Sequence, residues 1–263
     1  MPQFEEIQHI AAAHKGDPDF MLSLARGMQV LLAFSERKTP ASLSEIALKT
    51  SLDRAVVRRC VYTLGKLGLV GGVGKKYALN AEVLSLGHAY FSSADLITRA
   101  QPVLDQLSEK IHTNCSLAIL NQGDVVYLVR SQSRRLMQRS LGMGSRLPAH
   151  CTSLGRVLLA HMPAKEFSIY LAATQFQPLT SFTVTDKRAL RTILKNIRKD
   201  GFAIVNQEIE MDLVAIAIPV RMAGYNELMA LSVTVNPRYT AAEDMKARYL
   251  EAMQQAATQL LTV

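Results

Sequence analysis

Five side chains in the first third of the chain carry the clearest chemistry: Arg54, Arg58, Arg59, Tyr62 and Lys66. On a helix these positions share a broad face, while Val57, Cys60, Val61, Leu64 and Leu67 recur at spacings of three and four on the other side. An exposed row of guanidinium groups suits duplex nucleic acid, because arginine bonds bidentately to O6 and N7 of guanine in the major groove. Three clustered arginines cannot all reach bases, so one or two are expected on phosphates, which position without specifying. Arg26, Ser42, Lys66, Lys75 and Lys76 are assigned to phosphate as well. Ser42 belongs there because a helix start offers free amides and the positive end of the helix dipole.

Behind these residues the sequence predicts a compact set of helices. The first starts near Ser23, whose hydroxyl would cap it, with Met28, Leu31, Leu32 and Phe34 as its apolar stripe. Lys38-Thr39-Pro40 ends it. Ser42-Leu43-Ser44-Glu45 then matches a capping box, and Leu43, Ile46, Ala47 and Leu48 make a second helix amphipathic. After a turn over Thr50-Ser51-Leu52-Asp53, Asp53 is expected to cap a third helix from Arg54 to about Leu67. Helix, short turn and a second helix with cations near its start make the helix-turn-helix pattern. Leu69-Val70 and Tyr77-Ala78-Leu79 flank a glycine-rich basic tip, which predicts a hairpin wing. The same glycines do not make a nucleotide-binding loop, since Gly74-Lys75 is followed by Lys76-Tyr77 and a strand, with no hydroxyl for Mg²⁺.

Charge points the same way. Of the net +8, residues 20–80 hold +7, residues 1–19 hold −3 and residues 81–263 hold +4. Positive charge gathered in one short segment is what a polyanion-binding module requires, though charge alone fits a basic solvated face equally well. Residues 1–20, closing on Gly16-Asp17-Pro18-Asp19, are expected to form a mobile, poorly patterned arm. No apolar run approaches the ~18 residues that span a bilayer. The opening MPQFEEIQHI lacks the regions of a signal peptide. Cys60, Cys115 and Cys151 are odd in number and too scattered for a disulfide framework or a zinc pattern. A cytoplasmic protein without membrane contact, metal or cofactor is expected.

Beyond Asn80 the patterning changes. A linking helix is expected from Ala81 to about Phe91, a break over 92–95, and a longer helix from Leu96 to His112 bent at Pro102. Strands follow at Cys115–Asn121, Val125–Ser131 and Leu136–Leu141, then a helix capped by Thr152 or Ser153. Helices near 164–172 and 186–200, strands at 202–208, 213–221 and 228–235, and a final helix from about Ala241 to Leu261 complete one sheet flanked by helices. Glu208, Glu210 and Asp212 alternate along one strand, but no histidine supports a metal there and solvated acids are expected.

Five segments occur in a fixed order: SLARGMQVLLAF (Ser23–Phe34), RAVVRRCVYTLGKLGLV (Arg54–Val70), YALNAEVLSLG (Tyr77–Gly87), RSLGMGSRLPAHCTSLGRVLLA (Arg139–Ala160) and GFAIVNQEIEMDLVAIAIPV (Gly201–Val220). In these, the chain from Leu22 onward resembles the IclR family of bacterial transcriptional regulators. It looks most like the branch controlling aromatic-acid catabolism, such as protocatechuate or 4-hydroxybenzoate pathways. The resemblance implies an α+β chain with a flexible arm (1–20), an N-terminal winged helix-turn-helix (21–80), a linker helix used in dimerisation (81–95) and a C-terminal GAF-like α/β effector domain (96–263). It implies double-stranded operator DNA, a small-molecule effector taken to be a carboxylate, and a homodimer that can pair into a dimer of dimers. Activator or repressor stays open.

For the effector the resemblance indicates Arg139, His150, Cys151, Thr152, Ser153, Asn206, Glu208, Ala215, Ser232 and Thr234. Ser232 and Thr234, two apart on a strand, project to one face, and the helix start after Ser153 offers amides to a carboxylate. Arg130, Arg134, Arg135, Arg139 and Arg146 are candidate charge partners, with Arg139 first because its strand leads into this loop. Asp212, Val214 and Ala215 depart from residues common in relatives, so the effector itself is not carried over. Thr152 and Ser153 also suit plain helix caps, His150 a structural role, and Cys115 and Cys151 packing. Two rivals stand beside the regulator: an enzyme using Ser153 with His150 or Cys151, and a DNA-binding protein without a ligand. The first lacks a nucleophile signature such as GxSxG, and the second leaves a sensor-sized half of the chain unused.

Overall fold

Helical and extended segments assemble into two units in the computed structural model, residues 1–94 and 95–263. The structure describes residues 3–34, 39–87, 95–131 and 141–262. In the first unit α1 (Gln3–Ala13), α2 (Leu22–Ala33), α3 (Leu43–Thr50) and α4 (Arg54–Lys66) precede an antiparallel hairpin of β1 (Val70–Val73) and β2 (Lys76–Leu79). The core joins Val30, Leu31 and Phe34 to Ile46, Val57, Val61, Leu64 and Val70.

Several local expectations need correcting. Where an unpatterned arm was expected, α1 packs along α2, with Ile7 and Ala11, four apart, half-buried. Ser23 lies inside α2 rather than capping it; Met21 holds the N-cap and makes no side-chain bond. Asp53 does stand at the N-cap of α4, yet its carboxylate accepts no amide there. Met28 and Leu48 face solvent, and Gln29, Val30, Leu31 and Ala33 form the buried face of α2. Leu67 is 62 % exposed because α4 has already ended at this C-cap residue.

The capping box before α3 is complete: the Ser42 amide donates to Glu45 Oε2 at 2.8 Å, and the Glu45 amide donates to Ser42 Oγ at 3.3 Å. In the hairpin, Gly74 takes the first central place of a two-residue turn at φ +63°, a conformation that favours glycine. Mutual backbone bonds of 2.8 Å between Ala41 and Tyr77 pin the hairpin to the segment entering α3.

In the second unit the described strands form a six-stranded antiparallel sheet. Its members are β3 (Asn114–Asn121), β4 (Asp124–Ser131), β5 (Arg146–Pro148), β6 (Ala203–Asn206), β7 (Val214–Val220) and β8 (Met229–Val235), in spatial order β5-β4-β3-β8-β7-β6. The helices are α5 (Leu96–Ile111), α6 (Ser153–His161), α7 (Ala164–Ala173), α8 (Lys187–Asp200) and α9 (Met245–Thr262). Ala118, Ala203, Ala217 and Ala230 turn one sheet face toward Leu154, Val157 and Leu158 of α6, and these small side chains let the helix sit close. The alternate residues Leu117, Ile216, Leu231 and Val233 must point to the opposite face, where α5 and α9 lie against the strands. Residues 88–91 of the expected linking helix, the expected break over 92–94, and the expected strand Leu136–Leu141 up to residue 140 fall outside the described residues. The edge strand β5 has only three residues, too few to show alternation in the sequence.

Candidate functional site

The outer face of α4 carries Arg54, Arg58, Arg59 and Lys66, all exposed, and Tyr62 is 66 % exposed. Lys66 Nζ stands 5.5 Å from the Tyr62 ring centroid, a cation–π contact that steadies both side chains. Arg26 of α2 is half-buried, and its charge, with that of Arg59, bears on Cys60. Burial dominates there and raises the thiol pKa, so Cys60 stays protonated near neutrality. Lys75 and Lys76 are exposed in and after the hairpin turn. Ser42 sits differently from its companions. Its hydroxyl donates to Glu45 Oε2 at 2.7 Å, which places a carboxylate where a phosphate at the start of α3 would go.

The second unit contains a cavity of about 50 Å³ between the sheet, the start of α6 and the loop after β6. Of the effector residues read from sequence, Cys151, Thr152, Ser153, Ala215, Ser232 and Thr234 line it. Register explains the grouping: Thr234 pairs with Ala215, and Ser232 with Ala217, so their side chains share the face toward α6. Thr152 is the cap of α6, its Oγ1 accepting from the Gly155 amide at 3.1 Å. The helix can approach this closely because residue 155 is glycine: a Cβ there would lie 2.2 Å from the Ala149 carbonyl oxygen. Cys151 Sγ donates to the Pro148 carbonyl, and burial pushes its pKa up to about 12, which leaves an unreactive thiol.

His150, Asn206 and Glu208 stand outside the cavity lining. His150 is buried, edge-on to Phe176 with centroids 4.9 Å apart, and the backbone of Gln177 lies against its ring. Burial lowers its pKa. Asn206 ends β6 in solvent. Glu208, read as a ligand or a solvated acid, is neither in this geometry: its Oε2 accepts from Arg156 at 2.6 Å and from the Val184 amide at 2.9 Å. Arg134, Arg135 and Arg139 lie outside the described residues. Arg146 is committed to Asp124 at 3.2 Å and to Asn121.

Arg130 is the arginine that reaches the cavity among the described residues. It is half-buried, donates from Nη1 to the Leu141 carbonyl at 2.8 Å, and keeps a buried Nε without a described partner. Burial lowers its pKa, although a guanidinium remains charged at neutral pH. Beside it, burial raises the Tyr127 hydroxyl to about 12, so that group is neutral. Tyr127, Ile209 and Leu213 also line the cavity without a sequence signal, and Glu210, expected as a solvated acid, lines it as well. Arg156 was missed too, although a signal existed. Residues 153–160 are all buried, so an arginine among them required an acid partner.

Among the described residues no hydrogen bond joins Ser153 to His150, no three metal-binding side chains gather, and no helix is long and apolar enough to cross a membrane. Residues 23–73 match the IclR helix-turn-helix domain, and residues 88–262 match the bacterial transcriptional regulator IclR C-terminal domain. The chain belongs to the IclR family of bacterial transcriptional regulators. It is similar to the Pca regulon regulatory protein of Pseudomonas putida, with 40% identity over 249 residues, 94% of this chain and 86% of that one. A crystal structure from Rhodococcus sp. RHA1 superposes with a TM-score of 0.79 at 36% identity, covering 92% of this chain and 98% of that one. An IclR homolog from Microbacterium hydrocarbonoxydans, complexed with 4-hydroxybenzoate, gives 0.76 at 26% identity, covering 90% and 98%. As an IclR protein the chain is a DNA-binding regulator rather than an enzyme.

Proposed function

We propose that this IclR regulator binds operator DNA through the exposed face of α4 and releases or remodels that contact when a small carboxylate enters the cavity. Arg54, Arg58 and Arg59, with Tyr62, supply base readout; Arg26, Lys66, Lys75 and Lys76 hold phosphates. Ser42 takes a smaller part, because Glu45 already satisfies the start of α3. The protein acts in the cytoplasm as a homodimer joined through its linker segment.

One observation carries the ligand class: a half-buried guanidinium with an unsatisfied Nε on the wall of an otherwise largely apolar cavity. An unpaired buried charge is costly, and a ligand carboxylate relieves that cost. Among the described residues Arg130 therefore supplies the cation, and Arg139 lies outside them. Ser232, Thr234 and Ser153 offer hydroxyls to a ligand hydroxyl or second oxygen, which favours a small hydroxylated aromatic acid, the class of ligand held by the Microbacterium homolog. At about 50 Å³ the cavity is smaller than the ~150 Å³ that admits benzene, so entry must move the walls. That displacement is the work available to alter DNA binding. Calorimetry of the full chain against benzoate, 4-hydroxybenzoate, protocatechuate and straight-chain dicarboxylates tests the reading; absence of binding across the series would overturn it.

A further inference from the structure

Two stretches of chain contribute walls to the cavity: Cys151 to Leu154 at the start of α6, and Ile209, Glu210 and Leu213 in the loop between β6 and β7. The groups that tie them together lie just behind the lining. Arg156 Nε donates to the His150 carbonyl at 2.8 Å, and its Nη2 donates to Glu208 Oε2 at 2.6 Å. The same carboxylate oxygen accepts from the Val184 amide at 2.9 Å. Thr183 Oγ1 donates to the Glu208 carbonyl at 2.6 Å, and Thr180 Oγ1 donates to the Gln207 carbonyl at 2.6 Å. Both charged side chains are almost wholly buried, at 3% and 8% exposure.

A buried ion pair is a poor source of stability, since two charges lose their hydration and an apolar pair of similar volume often does as well. What such a pair does supply is direction. Each bond fixes one stretch of backbone against another, and a shift of either wall breaks a bond between desolvated charges. We propose that Arg156 and Glu208 are positioning residues that lock the two walls of the cavity together, so that ligand entry and wall displacement become one event. The proposal rests on the cavity being the effector site.

Replacing both residues with apolar ones, Arg156→Met with Glu208→Leu, removes the lock without stranding a charge. Arg156→Lys is the second variant, because it keeps a cation for Glu208 but cannot also reach the His150 carbonyl. Two measurements are made on the full chain. The first is amide hydrogen exchange without ligand, where residues 150–154 and 207–213 should exchange at least tenfold faster while α5 and α9 keep their protection. The second is the change in operator affinity caused by 4-hydroxybenzoate, or by whichever acid in the calorimetric series the wild type binds, and this should shrink at least tenfold. A merely structural pair would lower protection everywhere, or nowhere once the charges are removed together. Wild-type exchange in both segments overturns the proposal, and so does faster exchange with an undiminished ligand response. Should the wild type bind no acid at all, the cavity reading fails separately and the exchange result alone decides the lock.

Discussion

The side-chain amide of Gln29 donates to the backbone carbonyl of Thr50 at 2.9 Å, bridging the middle of α2 to the last residue of α3. Gln29 is 2 % exposed and Thr50 is fully buried, while the Thr50 hydroxyl turns back to the Ile46 carbonyl at 2.8 Å. This bond closes the C-terminal end of α3, a place where helices leave carbonyls unpaired, and the next residues lead into α4. The placement of α4, the helix we propose to face DNA, therefore rests in part on this buried glutamine.

Gln29→Leu removes that donor and leaves a buried carbonyl unsatisfied, at a cost of about 1–3 kcal/mol. Urea unfolding should show the loss in the first unit's transition, with operator affinity recovering at low temperature. Unchanged stability would show that water replaces the amide without penalty.

Lys75 and Lys76 are exposed cations on the hairpin, suited to phosphate rather than bases. Replacing both with alanine should flatten the slope of log K against log salt by about 1.8, roughly 0.9 for each phosphate no longer neutralised. Preference among operator variants should persist. By contrast, Arg58→Ala should lower specific affinity, as measured by anisotropy at fixed salt.

The first unit was largely legible because its signals are local. The capping box at Ser42 and Glu45, the three-and-four spacing of Val57, Val61 and Leu64, and the glycine turn at Gly74 each lie within a few residues. The errors came at ends: Leu67 fits the periodicity but lies beyond the last turn of α4, and Ser23 suits a cap position that Met21 holds. In the second unit the faces of β8 followed from alternation, so Ser232 and Thr234 could be grouped. The cavity's charged partners could not be chosen that way. Glu208 and Arg156 are 52 residues apart, and only the folded sheet shows that the glutamate is already paired.

Gly155 has no room for a side chain against the Ala149 backbone. Gly155→Ala gains the ~1 kcal/mol of helix propensity that alanine offers, but overpacking against main chain costs ~3 kcal/mol. The clash wins. Thermal unfolding of the second unit should fall, and the Thr152 cap should be lost; an unchanged midpoint would mean that the 149–152 segment yields easily.

His150 gives a pH signature. Burial outweighs the backbone contact from Gln177 and, with the nearby Arg156 charge, holds its pKa below the ordinary 6.5. The unfolded chain therefore binds more protons just below pH 6.5, and stability rises with pH through that window. The contribution is fully present above 6.5 and is lost as pH falls toward the depressed folded value. His150→Gln should flatten the wild-type slope on the acid side of 6.5, as read from unfolding midpoints at a series of pH values.

The central claim is that a carboxylate held by Arg130 governs operator binding. Anisotropy titration of labelled promoter DNA with wild-type protein and Arg130→Met, each with and without the calorimetrically best acid, tests it directly. The wild type should change its operator affinity with the acid. Arg130→Met should bind the same DNA equally well in its absence, yet need about 10- to 150-fold more acid to respond, the equivalent of ~1.5–3 kcal/mol for a charged hydrogen bond. An equal response from both proteins at the same acid concentration would contradict the account.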